Sequence, residues 1–367
     1  MFGIKHAMAG AAAAGLCLAA TAAAQASTAA LASTAAQAAS AAQATTIVPG
    51  LATLQTIACP TPGTCLAGGV DTSGGAVLAF INAATGTVKI RSGLKDTSQP
   101  GTIACPDKTT CLALVEKGTV QELARITVSS GAMKIIGKLP APPKDETNPL
   151  YELACAGAKT CYAAGWQGNP RGGSGTTGLL IRLSVTGKVE KVTTGGGEYA
   201  GLTCESATTC LASTSTSKGV KIFPIVNAKP GRAYDGPRGS EVTRLACYGT
   251  KACYALGVKV RGTTVTSELW PVNPKTGKSG KVTILRGLGA IDVACYSSSR
   301  CVVVGSTGIT LSAAAAVTVQ SGKAGKLVTY SAPTEPFTAV ACATAKACYA
   351  VGPDNTATAT QAEVTKV

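Results

Sequence analysis

Apolar and polar residues alternate along most of this chain in short runs broken by Gly, Pro, Ser and Thr. Residues 152–194 show the pattern. A run ending at Cys155 is interrupted by five small or polar residues, and Cys161 to Trp166 alternates again. A Gly-rich connection over residues 169–178 leads to a third run, Leu179 to Val185. A turn at Thr186-Gly187 leads to a fourth, Lys188 to Thr194. Side chains of a strand point alternately to its two faces, so period-two runs separated by turn residues predict four short antiparallel strands. The same order recurs over residues 76–90 and 267–285, with no amphipathic helix between the runs.

The unit repeats seven times. Each copy carries an aliphatic residue, a small residue and Cys, then five residues and a second Cys, usually continued as x-Ala-x-Gly. The pairs are Cys59 and Cys65, Cys105 and Cys111, Cys155 and Cys161, Cys204 and Cys210, Cys247 and Cys253, Cys295 and Cys301, and Cys342 and Cys348. First cysteines are 43 to 50 residues apart, a period of arrays and propellers. Four strands per unit in seven units predict an all-β fold, a seven-bladed β-propeller over residues 46–367. An open β-solenoid is the alternative, but it has shorter repeats and needs caps that the sequence does not show. The seventh unit lacks a fourth strand, and Thr45 to Val48 can supply it. Ile47 lies 12 residues before Cys59, as Val192 lies 12 before Cys204. Closure of that kind removes an open sheet edge.

This order makes the strand ending at the first cysteine the innermost. The residue just before that cysteine is Ala in six copies and Thr203 in the other, and the residue two before is always Ile, Leu or Val. The residue three before varies: Thr56, Thr102, Glu152, Gly201, Arg244, Asp292 and Ala339. Repeated positions build the scaffold, and the irregular ones are where function is written.

Residues 1–26 read as a secretory signal peptide. Lys5 precedes an apolar stretch, and Ala24-Gln25-Ala26 fits a small-residue cleavage site. Residues 27–45 read as an Ala/Ser/Thr/Gln-rich linker, and no later segment is apolar enough for a transmembrane anchor. The expected product is secreted, extracellular and monomeric. Outside the cell, cysteine pairs predict disulfides, and a five-residue loop between two strands places its flanking residues near the ~5.5–6 Å Cα separation of a bridge. Zinc fits poorly, since the one histidine, His6, lies in the signal.

The absence of histidine beyond residue 6 excludes Ser-His-Asp and Cys-His catalysis and His-ligated metals; no cofactor or metal is expected. Candidate ligand contacts at the channel mouth are Glu152, Arg244, Asp292, Tyr151, Tyr199 and Trp166, against the alternative of a solvated rim with local ion pairs. The net charge is +15, and the strand order collects the Cys-loops and Thr-Gly turns on one side. That side is a candidate polyanion-binding face with Lys159, Lys188, Lys251, Lys275, Lys278, Arg300, Lys323, Lys326 and Lys346.

The repeated phrase resembles that of a group of secreted bacterial β-propellers sometimes labelled sialidase-like. The resemblance covers residues 46–367 and implies the propeller fold but no catalytic residues, and the Asp-box of sialidases is missing. The expected function is binding or scaffolding, with an anionic cell-wall polymer, an extracellular glycan or a protein as partner. Nucleic acid is not expected, because an aromatic content of 4% offers few stacking platforms. The alternative is a glycan-active hydrolase or lyase using Glu152, Tyr199 and Asp292.

Overall fold

A computed structural model describes residues 45–92, 100–117, 120–141, 149–168, 177–195, 197–206, 208–216, 219–227, 229–262, 264–307, 313–330, 335–354 and 361–367. The expected signal peptide and nearly all of the expected linker lie outside them. The described strands form seven antiparallel sheets, one per cysteine pair, ordered sequentially from the axis outward in the first six. The third blade is typical, with Leu150–Ala156 innermost, then Thr160–Gln167, Thr177–Ser184 and Val189–Thr194. In the fourth blade the outer strand is split into Lys229–Pro230 and Tyr234–Asp235. The last blade is completed by Thr45–Val48, which pairs Thr45 with Thr365 and Val48 with Ala362. The fold is thus the expected seven-bladed propeller, closed by its N-terminal strand. Among the described residues no helix is long and apolar enough to cross a membrane.

Seven hydrophobic clusters hold the ring, and each is shared by two neighbouring blades. The cluster between the last and first blades joins Tyr349, Val351 and Val364 to Leu54, Ala67 and Ala79. Both faces of every sheet are therefore covered, and burial of these side chains is the main term favouring the closed ring. Trp270 is fully buried in one such cluster, opposite Ala255 of the second strand of its blade.

All seven cysteine pairs are bridged as expected. Their Cα separations are 3.8 to 4.0 Å, closer than the sequence argument proposed. Cys155 and Cys161, for example, are directly opposed across their hairpin.

One regularity was not anticipated. Five inner strands shift register just ahead of the variable position, between Leu54 and Thr56, Leu150 and Glu152, Tyr199 and Gly201, Val242 and Arg244, and Ala290 and Asp292. In four of these blades a glycine four residues after the second cysteine faces this bulge, and in the fourth blade Thr214 stands there. A Cβ on Gly165 would lie 2.0 Å from the Pro149 carbonyl oxygen, and one on Gly257 2.1 Å from that of Glu241. Where the repeated phrase ends in Gly opposite such a bulge, the bulged strand passes where a side chain would be. The bulge turns the next residue toward the axis.

Candidate functional site

The inner strands surround a cavity of about 580 Å³ on the propeller axis, and residues of all seven blades line it. Its lining includes Thr56, Thr102, Glu152, Arg244, Asp292 and Ala339, which are six of the seven variable positions. It also includes Val70 and Glu116 from the ends of second strands, Gly74 from a connection and Gln121 from the start of a third strand. The cavity therefore opens on the face opposite the Cys-loops.

Polar contacts stitch neighbouring blades around the axis. The Ile103 amide donates to Thr56 Oγ1 at 3.2 Å, and Thr102 Oγ1 donates to the Tyr151 carbonyl. The Tyr151 hydroxyl lies 2.6 Å from both Glu198 Oε1 and the Tyr199 carbonyl. The Val340 amide donates to Asp292 Oδ2 at 2.8 Å, and Thr338 Oγ1 donates to the Leu54 carbonyl at 2.8 Å.

One contact spans a whole blade. Arg244 of the fifth blade donates from Nη1 to Glu152 Oε1 of the third at 2.5 Å, while its Nε lies 3.7 Å from Asp292 Oδ1 of the sixth. Between Glu152 and Arg244 in the ring comes Gly201, which has no side chain to intervene. Glu152 is 5% exposed. Burial, against the attraction of Arg244 and with added repulsion from Asp292, pushes its carboxyl up to about 7. Burial also raises Asp292, opposed by Arg244 and by the Val340 amide. The Glu152 carboxylate raises Arg244 further above its ordinary value, so the guanidinium stays charged. Two buried carboxyls thus share one cation, and a proton on Glu152 relieves the excess negative charge. Burial, with the Glu198 carboxylate next in effect, raises the Tyr151 phenol far above its ordinary range; it serves as a hydrogen-bond donor.

Of the six expected mouth residues, Glu152, Arg244, Asp292 and Tyr151 line the cavity, and Tyr199 and Trp166 do not. Tyr199 is 3% exposed and packs edge-on against Phe223, ring centroids 6.0 Å apart. Its place in the repeat explains this. The residue five before the first cysteine is Leu54, Pro100, Leu150, Tyr199, Val242, Ala290 or Phe337, and every one is buried. Aligning the copies on their cysteines would have marked Tyr199 as core. Trp166 is half-buried on the second strand of its blade, opposite Gly178. Gln55, the bulge residue of the first blade as Tyr151 is of the third, was missed and lines the cavity. No group of three or more metal-ligating residues occurs among the described residues.

The nine cations expected on the opposite face are all exposed. Backbone hydrogen bonds tie Cys-loops to the turns between third and fourth strands: Ala83 to Gly63 at 3.0 Å, Val128 to Thr109 at 2.8 Å and Ser321 to Ser299 at 2.7 Å, each amide donating to the carbonyl. Loops and turns therefore do share one side of the disc.

No family model and no curated protein matches the chain, so the likeness to secreted bacterial propellers rests on the repeated phrase. Solved structures do match. An oligogalacturonate lyase in complex with manganese aligns with a TM-score of 0.62 at 10% identity, covering 90% of this chain and 94% of the lyase. YCF48 bound to a peptide aligns at 0.58 and 12%, covering 89% and 97%. The WD40 propeller domain of Doa1 aligns at 0.55 and 11%, covering 88% and 95%. At such identities the likeness shows the fold alone: the chain is a β-propeller, an architecture shared by binding proteins and enzymes.

Proposed function

We propose that this is a secreted binding or scaffolding propeller that takes a segment of an extracellular protein or glycan into the mouth of its channel. The observation that carries the reading is the Glu152–Arg244–Asp292 cluster. It is placed by strand bulges at the variable positions of an otherwise repetitive scaffold, and it faces a cavity large enough for a side chain or a sugar. Seven disulfides favour an oxidising compartment. With two carboxyls to one guanidinium, the mouth complements a basic side chain or an amine best. Such a ligand favours ionised Glu152, so its affinity rises as pH climbs through about 7. The similar fold of YCF48 bound to a peptide is in keeping with a peptide segment at this place.

A glycan-active hydrolase or lyase is the second reading, favoured by a Glu152 carboxyl held near neutrality, where proton transfer works best. Tyr199 can take no part, being buried away from the cavity. Screening the protein against immobilised peptides and envelope-glycan fragments separates the two. The binding reading expects retention that Glu152→Gln and Asp292→Asn weaken while the melting transition stays cooperative. Turnover of a glycan fragment that Glu152→Gln abolishes would establish the enzyme, and retention indifferent to both changes would remove the channel from either role.

A further inference from the structure

The face opposite the channel mouth is built differently. Its Cys-loops and turns carry exposed lysines in most blades, among them Lys108, Lys159, Lys229, Lys275, Lys323 and Lys346. On the described residues of these loops and turns the acids are Asp107 and Glu205. Asp107 accepts the Thr109 and Thr110 amides and the Thr109 hydroxyl, folding its own loop. Glu205 lies close enough to Lys275 to feel its charge, which also shows the fourth blade's Cys-loop beside the fifth blade's turn. Cations that outnumber acids over one whole side make a continuous positive field rather than a set of ion pairs.

The cations are nearly all lysine, which meets phosphate as a point charge and does not demand the planar, bidentate partner that arginine selects. Lys108, Lys159 and Lys346 stand on loops closed by one disulfide each, with the first cysteine of each pair half-buried and the second buried, and the others stand at the turns beside such loops, which backbone hydrogen bonds tie to them. The charges are therefore spread over a framework that does not close around a ligand. An extended partner lying across several blades fits this layout. Tyr248, 40% exposed, is the large aromatic that this face offers to solvent among the described residues, so nucleobases find little to stack on.

We propose that the Cys-loop face docks a linear polymer of repeated phosphodiesters without bases, of the kind found in cell envelopes, independently of what the channel binds. Each phosphate engaged releases condensed counterions, so contact with about three phosphates loses on the order of tenfold in affinity between about 50 and 200 mM salt.

The test measures binding of the full chain to poly(glycerol phosphate) and, at equal phosphate concentration, to oligothymidylate. Two charge-matched variants are compared. One changes Lys275, Lys278, Lys323 and Lys326 to Glu; the other changes Lys117, Lys138, Arg261 and Arg286, which are exposed near the other face, to Glu. The expected result is salt-sensitive binding to poly(glycerol phosphate) that the first variant weakens at least tenfold and the second less than threefold, with oligothymidylate no tighter. Equal losses in both variants would make net charge the determinant and overturn the assignment to a face. Binding that ignores salt or the first variant would overturn the electrostatic surface, and tighter binding of oligothymidylate would assign it to nucleic acid. None of these results depends on Glu152 or Asp292, so the channel reading stands or falls separately.

Discussion

The two sides of the disc use charge in opposite ways. At the channel mouth three charged groups, Glu152, Arg244 and Asp292, lie within hydrogen-bonding or close ionic distance, and Glu152 is almost fully buried. On the Cys-loop side the lysines stand apart in solvent. A buried carboxylate without its partner costs several kcal/mol, whereas an exposed lysine costs almost nothing and acts through a field that salt screens within about 8 Å. The first arrangement must be held in place by the fold and suits selection of a particular ligand group. The second needs only loop tips and suits weak contact with something long.

The sharpest way to break the contrast is Arg244→Ala. It leaves Glu152 and Asp292 facing each other without a cation and should destabilise the protein by about 3–5 kcal/mol at pH 8. The loss should shrink at pH 5. The carboxyl of Glu152 sits at about 7 in the fold against an ordinary 4.5, so the protonated form is the one the fold favours. Its stabilising share is fully present below about pH 4.5 and is lost as pH rises through about 7. Urea unfolding at both pH values reads this, and an equal loss at both would show that Glu152 does not carry the proton.

Gly165→Ala is expected to cost up to about 3 kcal/mol, since the new Cβ would lie 2.0 Å from the Pro149 carbonyl oxygen and push on the bulge that aims Glu152. Gly63→Ala on the Cys-loop side meets nothing within 4 Å and should be neutral. If both changes behave alike under thermal melting, the bulge is not what positions the site. Smaller again is removal of one bridge by Cys155→Ala with Cys161→Ala, at about 2 kcal/mol for so short a loop. Wild-type stability measured with and without reductant bounds the sum over all seven. A single-pair loss that abolishes folding would show that the blades do not share the load.

The architecture was legible because a repeat states its own rule several times. Period-two runs, turn residues and seven cysteine pairs define strands, sheets and blades, and the missing fourth strand of the last copy points to the N-terminal one. Local pairing follows from spacing alone, since residues six apart around a tight hairpin have no nearer partner. The cations on loop tips could be placed on one side by strand count, because a tip is exposed wherever its blade stands. What the chain order could not settle was which polar residues meet. Tyr199 and Tyr151 are separated by 48 residues and look alike as inner-strand tyrosines, yet Tyr151 is itself the bulge residue of its strand and lines the cavity, while Tyr199 stands one position ahead of its strand's bulge, as Leu150 does, and is buried. Glu152 and Arg244 are 92 residues apart and pair across a blade where the variable position is Gly201. Strand propensity and period are local properties written into consecutive residues, so the sequence determined them. The ion cluster exists because ring closure brings seven distant strands to one axis, and that distance is set by packing between blades.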